Sequence, residues 1–313
     1  GGIVLHAPLT VWLGTVWPSY DQVIKAWKEL LMGVALVLLL IAAAKRRMVG
    51  TFLNDRLIQL SLVFAGLHFV MMAVFQNGLQ QAGAGLLIDL RFVLYFALVY
   101  GTIKLLPQYR RLFIQVMACG AIVVLVFALL QLFVLPRDFL THIGYSRETI
   151  APFLTVDENP DYIRISSTLR GPNPLGAYIV IVLSLVLATA IKYGNRLRRN
   201  LRWALGVIAA VSSLVLGASY SRSSLIGVLV ALIITIGVVA SAKARQHLAA
   251  IVLVGILAVS MVLIVGRTNP IISNVILHDS PTTGAMVDSN QGHAESLIDG
   301  VNRMVQQPLG GGV

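Results

Sequence analysis

The stretch LFIQVMACGAIVVLVFALLQLFVL, residues 112–135, runs for 24 positions without a charge. Its apolar side chains are continuous and do not alternate, so it reads as a helix and not as a barrel strand. A helix needs roughly 20 such residues to cross a bilayer. Where no water can satisfy backbone groups, only helices or closed barrels are viable. Comparable runs recur over 27–44, 57–75, 84–105, 174–191, 201–218, 223–241 and 248–266. With 112–135 they make eight predicted spans, and the expected fold is an all-α polytopic transmembrane helix bundle. Composition agrees: 57% of the chain is hydrophobic and only 12% charged, where a soluble domain carries about a quarter charged residues.

Three segments follow. Residues 1–28 form an exoplasmic or interfacial N-terminal segment, and 29–266 form the bundle, with an exoplasmic loop over 136–172. Residues 267–313 begin a second large exoplasmic loop. Within the first segment the run Ile3 to Trp17 is short and contains Pro8, so it reads as an interfacial piece or loop remnant, with a truncated span as the alternative. The chain opens on Gly1-Gly2 and stops within Gly310-Gly311-Gly312-Val313, which reads as part of a longer membrane protein.

A net charge of +11 would suggest nucleic acid in a soluble protein; here its distribution matters more, and no nucleic-acid partner is expected. One set of loops holds Lys45, Arg46, Arg47, Arg56, Lys104, Arg110, Arg111, Lys192, Arg196, Arg198, Arg199, Arg202, Lys243 and Arg245 against a single acid, Asp55. The alternate loops hold nine basic and eleven acidic residues. Basic loops stay cytoplasmic, so both visible ends and both long loops face outward. Loops longer than about 15 residues are usually functional or disordered, which points to an outward-facing site. The expected location is a bacterial inner membrane, with the site toward the periplasm or exterior. Cys119 is the only cysteine and lies in an apolar run, so it reads as a small core hydrophobe with no disulfide or thiolate cluster.

Three clusters could carry chemistry. The first is Arg164-Ile-Ser-Ser-Thr-Leu-Arg170-Gly-Pro-Asn173-Pro174-Leu-Gly176. Asn173 suits an N-cap and Pro174 a first helical position, so the fifth helix starts sharply with its N–H groups outward. Such an end attracts anions, and Arg170 lies within one turn of it, able to grip phosphate with two donors. A capped helix with an interfacial arginine anchor accounts for the same residues. The second cluster, Ser219-Tyr220-Ser221-Arg222-Ser223-Ser224, is a whole outward hairpin. Arg222 sits beside the seventh helix, with Ser223 or Ser224 as its cap, and a snorkelling anchor is the plain alternative.

The third cluster is Asp288-Ser-Asn-Gln-Gly292-His293-Ala-Glu295-Ser296, followed by Pro308-Leu-Gly-Gly-Gly-Val313. An imidazole titrates near neutrality and suits general-base work. Leu297, Ile298, Val301 and Val305 are spaced as on a short amphipathic helix, which puts His293 on the loop or in that helix's first turn. An exposed loop histidine without a role is the alternative. Asp89 and Arg91 lie inside the third helix, where charges are costly and often functional. At i and i+2 they point apart, so each needs its own partner on another helix, with Arg91 a candidate for the outward basic site; snorkelling of both to the interface is the alternative. His68 reads as a hydrogen-bond partner between helices. His6, His142, His247 and His278 have no partners by spacing. Asp157, Glu158 and Asp161 read as a solvated loop face or acids for acceptor recognition. No His or carboxylate spacing resembles a metal site, so neither a metal nor a cofactor is expected.

Together the three clusters, in this order on an eight-span scaffold, resemble the O-antigen ligase and polymerase superfamily from about residue 29 to the end. The motifs that carry the likeness are Arg170-Gly-Pro-Asn-Pro-Leu-Gly176, Ser219-Tyr-Ser-Arg222-Ser-Ser224, and Gly292-His293 with Pro308-Leu-Gly-Gly-Gly312. The resemblance implies a glycosyltransferase using an undecaprenyl-diphosphate-linked glycan as donor, with a glycan or lipid A-core as acceptor, working among membrane lipids. It places Arg170 and Arg222 on the donor diphosphate and His293 as base toward the acceptor hydroxyl. Arg164 competes with Arg170, since both precede the fifth helix, and Asn173 and Arg91 complete the candidate donor-binding set. A ligase, a polymerase and a protein oligosaccharyltransferase share this donor chemistry. The rival class is a membrane transporter, although the sequence shows no internal repeat of the kind such folds carry.

Overall fold

A computed structural model describes residues 2–75, 78–156, 159–269, 272 and 289–308. The chain forms α1 (His6–Val16), α2 (Asp21–Lys45), α3 (Val49–Leu53), α4 (Arg56–Phe75), α5 (Leu79–Leu105) and α6 (Arg110–Phe133). A hairpin of β1 (Leu154–Val156) and β2 (Asn159–Arg164) follows. Then come α7 (Pro172–Tyr193), α8 (Arg199–Ala218), α9 (Arg222–Val239), α10 (Ala242–Val265) and α11 (Ser289–Gln306). Among the described residues, eight helices are long and apolar enough to cross a membrane: α2 and α4 to α10. Each predicted span is present, with ends within six residues of expectation. The fold is an all-α polytopic bundle. Its apolar side chains remain largely exposed, as with Val238, Ile264 and Phe133, which is what a lipid-facing surface requires.

Several details depart from the sequence expectation. Residues 6–16 form a helix and not a loop remnant. Pro8 lies in the first turn of α1, where its missing N–H has no intrahelical partner to lose, and Val11 packs with Leu140 and Tyr145. Burial pushes the Tyr145 phenol up to about 12. The loop over 136–172 is ordered through a 3-10 turn at Phe139–Ile143 and the β hairpin. Pro160 is tolerated in β2 because a two-stranded sheet consists only of edges. Cys119 is exposed, contrary to the core role expected of it, since α6 turns that face outward. Asp21, Lys25, Lys28 and Glu29 belong to α2 and not to a loop, with Lys25 bridging Asp21 at 2.6 Å across one turn.

The chain divides into two compact units. The first comprises Gly1–Ile3, Trp17–Ala118 and His293–Val313. Its core gathers Leu39 and Ala43 of α2, Phe52, Ile58 and Leu105. Gly101 allows the approach of α2 and α5: a Cβ there would lie 2.5 Å from the Phe52 ring and 2.9 Å from Leu39. Small residues serve such close helix contacts in membranes, where lipid supplies no hydrophobic drive. The contacts join the C-terminal ends of α2 and α5, so the basic stretches after each lie at one end of this unit, as the charge alternation requires.

Asp55 ties that end together. Its Oδ1 accepts from the Leu57 N–H at 2.9 Å, capping α4, and its Oδ2 accepts from the Tyr100 hydroxyl at 2.9 Å and from the Lys104 ammonium. The Lys104 bond, joined by those from Tyr100, Leu57 and Ile58, holds the Asp55 carboxyl at about 2 against an ordinary 3.8. A depressed folded-state value contributes stability above the unfolded value, and that stability is lost as pH falls through the folded one. Unfolding in detergent should therefore become easier between about pH 4 and about pH 2. Asp55→Asn should lower the neutral-pH midpoint and flatten the profile across that window. An unchanged acid profile in the variant would refute this role.

The second unit comprises Val4–Val16 and Cys119–Gly292. Its core is built from Val124, Leu125 and Ala128 of α6, Ile165, Leu175 and Ile179 of α7, Val215 and Leu216 of α8, and Val228 of α9. Helix α7 packs on both α8 and α9 and is the centre of this unit.

Candidate functional site

The first two clusters read from the sequence lie against each other in the second unit. Arg164 ends β2, and its Nε–H donates to the Ser219 carbonyl oxygen at 3.0 Å. Its Nη2 donates to Asn173 Oδ1 at 2.7 Å. Beside it the Ile165 N–H meets the Ala218 carbonyl at 3.4 Å. One guanidinium thus joins the strand end, the first turn of α7 and the end of α8. Its role in the structure is that of a clasp, and each charge-assisted bond of this type contributes about 1.5–3 kcal/mol.

The segment between Arg164 and Arg170 is held from below. Ser167 is fully buried with φ 51. Its N–H donates to Gln131 Oε1 at 2.6 Å and its hydroxyl to the Val124 carbonyl at 2.7 Å. Tyr220, in the facing hairpin, has φ 48. A non-glycine residue in the left-handed region costs about 1–3 kcal/mol and persists only where its surroundings over-determine it. Both segments therefore carry backbone strain, a property that concentrates at ligand sites and switches.

Helix α7 begins at Pro172, with Gly171 as N-cap residue. Asn173 is not the cap and Pro174 is not the first helical position. Pro172 already has the φ that a helix start needs, so the helix opens earlier, and the Asn173 side chain turns to Arg164. Two prolines within this first turn also remove N–H groups, leaving α7 fewer anion donors than expected. Arg222 opens α9 with Ser221 in the N-cap position, not Ser223 or Ser224. The Ser221 hydroxyl makes no capping bond; it pairs with Ser224 Oγ at 2.9 Å and Ser223 Oγ at 3.3 Å.

The two helix starts touch. A Cβ on Gly176 would lie 2.4 Å from Ser224 Oγ, 2.6 Å from Ser224 Cβ and 3.0 Å from Ser221 Cβ. Helices α7 and α9 are therefore packed in parallel with their N-terminal ends together. Arg170, exposed, stands three positions before Asn173, and Arg222, half-buried, three after Ser219. Two positive helix ends and two arginines on the contacting segments form an electrostatic arrangement suited to an anion.

The remaining candidates belong to other elements. Arg91 belongs to the first unit, on α5. Its guanidinium lies 4.9 Å from the Phe92 ring centroid, and its Nε is buried with no hydrogen-bond partner among the described residues. Asp89 finds the interhelical partner that its position demands: His68 Nε2 of α4 approaches Asp89 Oδ2 at 3.6 Å, while His68 Nδ1 lies 2.9 Å from the Phe64 carbonyl oxygen.

His293 is the fifth residue of α11, inside a helix that starts at Ser289, and not on a loop or in a first turn. The helix begins early because Ser289 to Gln291 join it. The orientation of the His293 imidazole lies outside the described residues, as do Asp157, Glu158, His278, Asp288 and the glycine run at 310–312. The Asp161 N–H donates to Asn159 Oδ1 at 2.9 Å, a local turn bond within the hairpin. Among the described residues no group of three or more His, Cys, Asp or Glu could hold a metal ion.

Gln131 and Ser167 were missed by sequence reasoning. A polar glutamine within an otherwise apolar run was the available signal, since a buried amide in a span needs a partner. No protein-family model, curated protein or solved structure matches the chain.

Proposed function

We propose that this protein is an integral membrane glycosyltransferase of the O-antigen ligase type. It moves a glycan from undecaprenyl diphosphate to an acceptor hydroxyl on the outer face of a bacterial inner membrane. The observation that carries this reading is the joint between α7 and α9, where Arg164 clasps Asn173 to Ser219 and Gly176 admits Ser224. It holds the segments bearing Arg170 and Arg222 together at two helix N-termini. A diphosphate is the ligand for which two guanidinium groups beside such ends are best suited. The charge alternation supports an outward position for this joint.

In the proposed reaction the acceptor hydroxyl oxygen attacks the anomeric carbon from the face opposite the diphosphate. The bond from that carbon to the diphosphate oxygen breaks, and its electron pair leaves on the diphosphate. Arg170 and Arg222 stabilise the developing charge, and a general base takes the hydroxyl proton, with His293 the candidate that the family resemblance offers. The anomeric centre inverts. His293→Ala should lower turnover by about 10²–10⁴-fold, the usual contribution of a positioned acid or base, with little change in donor affinity. Loss of affinity at unchanged turnover would reassign the residue to recognition.

The whole reading is tested by transfer from a lipid-diphosphate glycan to acceptor by the full-length protein, with and without chelator. Transfer that survives chelation is expected. Absence of transfer, or its abolition by chelator, would overturn the reading. A transporter is the second reading, favoured by the His68–Asp89 pair within the membrane. Proteoliposomes that translocate solute or lipid without bond cleavage would select it.

A further inference from the structure

A groove of about 490 Å³ lies between α7, α8 and α9 in the second unit, far along the helices from the α7–α9 joint. Its walls include Leu187 and Ala190 of α7, Gly206 and Ala209 of α8, and Leu232 of α9. Among the described residues that line it, Arg202 alone is charged. The lining runs along α7 from Leu183 to Gly194 at its end. At 1.5 Å per residue that is about 16 Å, the depth of one leaflet of a hydrocarbon core roughly 30 Å thick. Its rim residues Ala190, Arg202 and Gly206 are exposed.

Charge gathers at one end of this groove. Lys192, Arg196, Arg198, Arg199 and Arg202 fall within eleven consecutive residues that contain no acid. Arg199 opens α8, and Arg202 follows one turn later; no acidic residue stands in that first turn, and the Arg198 side chain makes no cap bond. Cations at a helix N-terminus oppose its dipole, so the local charge is arranged against the helix it starts. A bound anion reverses the sign of that conflict. Basic pockets between membrane helices on the cytoplasmic side are where anionic lipid headgroups bind.

We propose that this groove holds one anionic phospholipid, with an acyl chain against the α7–α8 wall and its phosphate at Arg202. Charge complementarity selects the occupant: a zwitterionic lipid presents the same chain but leaves the arginine cluster uncompensated. The site is separate from the proposed diphosphate joint and does not depend on it.

Native mass spectrometry of the full-length protein from micelles holding equal phosphatidylglycerol and phosphatidylcholine tests the assignment. One phosphatidylglycerol retained per chain, in preference to phosphatidylcholine, is expected. Arg202→Gln should weaken that retention about tenfold, and Ala209→Leu should abolish it by filling the groove. Ala190→Leu, on the exposed rim, does the same with less demand on packing, should the first variant fail to fold. Equal retention of both lipids would overturn the proposal. So would phosphatidylglycerol retention unchanged by Arg202→Gln, or unchanged by groove-filling variants that fold, or displacement of the lipid by soluble glycerol phosphate alone.

Discussion

Replacing Arg222 by alanine is expected to lower glycan transfer by about 10²–10³-fold, the usual cost of removing one preorganised donor to a developing anion. Arg170→Ala should act comparably. Neither change should disturb membrane insertion. Arg170 is exposed, and Arg222 is half-buried at the first position of α9. Lysine should restore only part of the activity at either position, because a point charge cannot make the paired planar bonds of a guanidinium. The measurement is single-turnover transfer from a lipid-diphosphate donor, beside a membrane-extraction assay for insertion. Normal transfer by both alanine variants would remove the arginine pair from the mechanism. Arg164 is expected to behave differently. Its Nε and Nη2 are committed to Ser219 and Asn173, so Arg164→Ala should lose stability and activity together.

The second large effect is expected at Gly176. Any side chain there meets Ser224 Oγ at 2.4 Å and Ser224 Cβ at 2.6 Å, too close for a flexible adjustment to relieve. Gly176→Ala should cost about 1–3 kcal/mol of stability, as insertions into well-packed sites do. It should also cost transfer, because α7 and α9 must separate where the two arginine-bearing segments meet. Adding Ser224→Gly removes the two nearest obstructing atoms and leaves Ser221 Cβ at 3.0 Å, so the double variant should recover part of the loss in both unfolding and transfer assays. A double variant no better than Gly176→Ala alone would place the cause outside this contact. The cycle isolates the contact because the two positions touch directly.

The spans were legible because bilayer thickness and backbone desolvation impose a simple demand, roughly 20 apolar residues in a helix. Residues 112–135 meet it without help from tertiary context. Helix starts were less legible. Asn173-Pro174 has the signature of a cap followed by a first helical residue, but Pro172 satisfies the same rule earlier and wins. The hairpin of β1 and β2 escaped notice because its strands are short, three residues in β1, with Pro160 inside β2.

Individual residues of the site were legible as types in suggestive places: Arg164, Arg170, Asn173, Arg222. Their assembly was not. The bond from Arg164 to Ser219 spans 55 positions, and no local spacing encodes such a contact. The strain at Ser167 and Tyr220 was hidden for a related reason, since serine and tyrosine carry no signal for positive φ; the environment imposes it. In the first unit membrane energetics left two readings for Asp89, a partner on another helix or snorkelling to the interface, and the structure brings His68 Nε2 to 3.6 Å from it. His293 remains a candidate on chemical type and motif order, placed in α11 and not on the loop expected of it.

Affinity for undecaprenyl diphosphate itself, measured on the full-length protein in detergent for wild type, Arg170→Ala, Arg222→Ala and the double variant, tests the diphosphate grip most directly. If both guanidinium groups hold one diphosphate, each single change should weaken binding at least about tenfold, and the double change should depart from additivity by about 1 kcal/mol or more. Binding as tight in either single variant as in the wild type would contradict it.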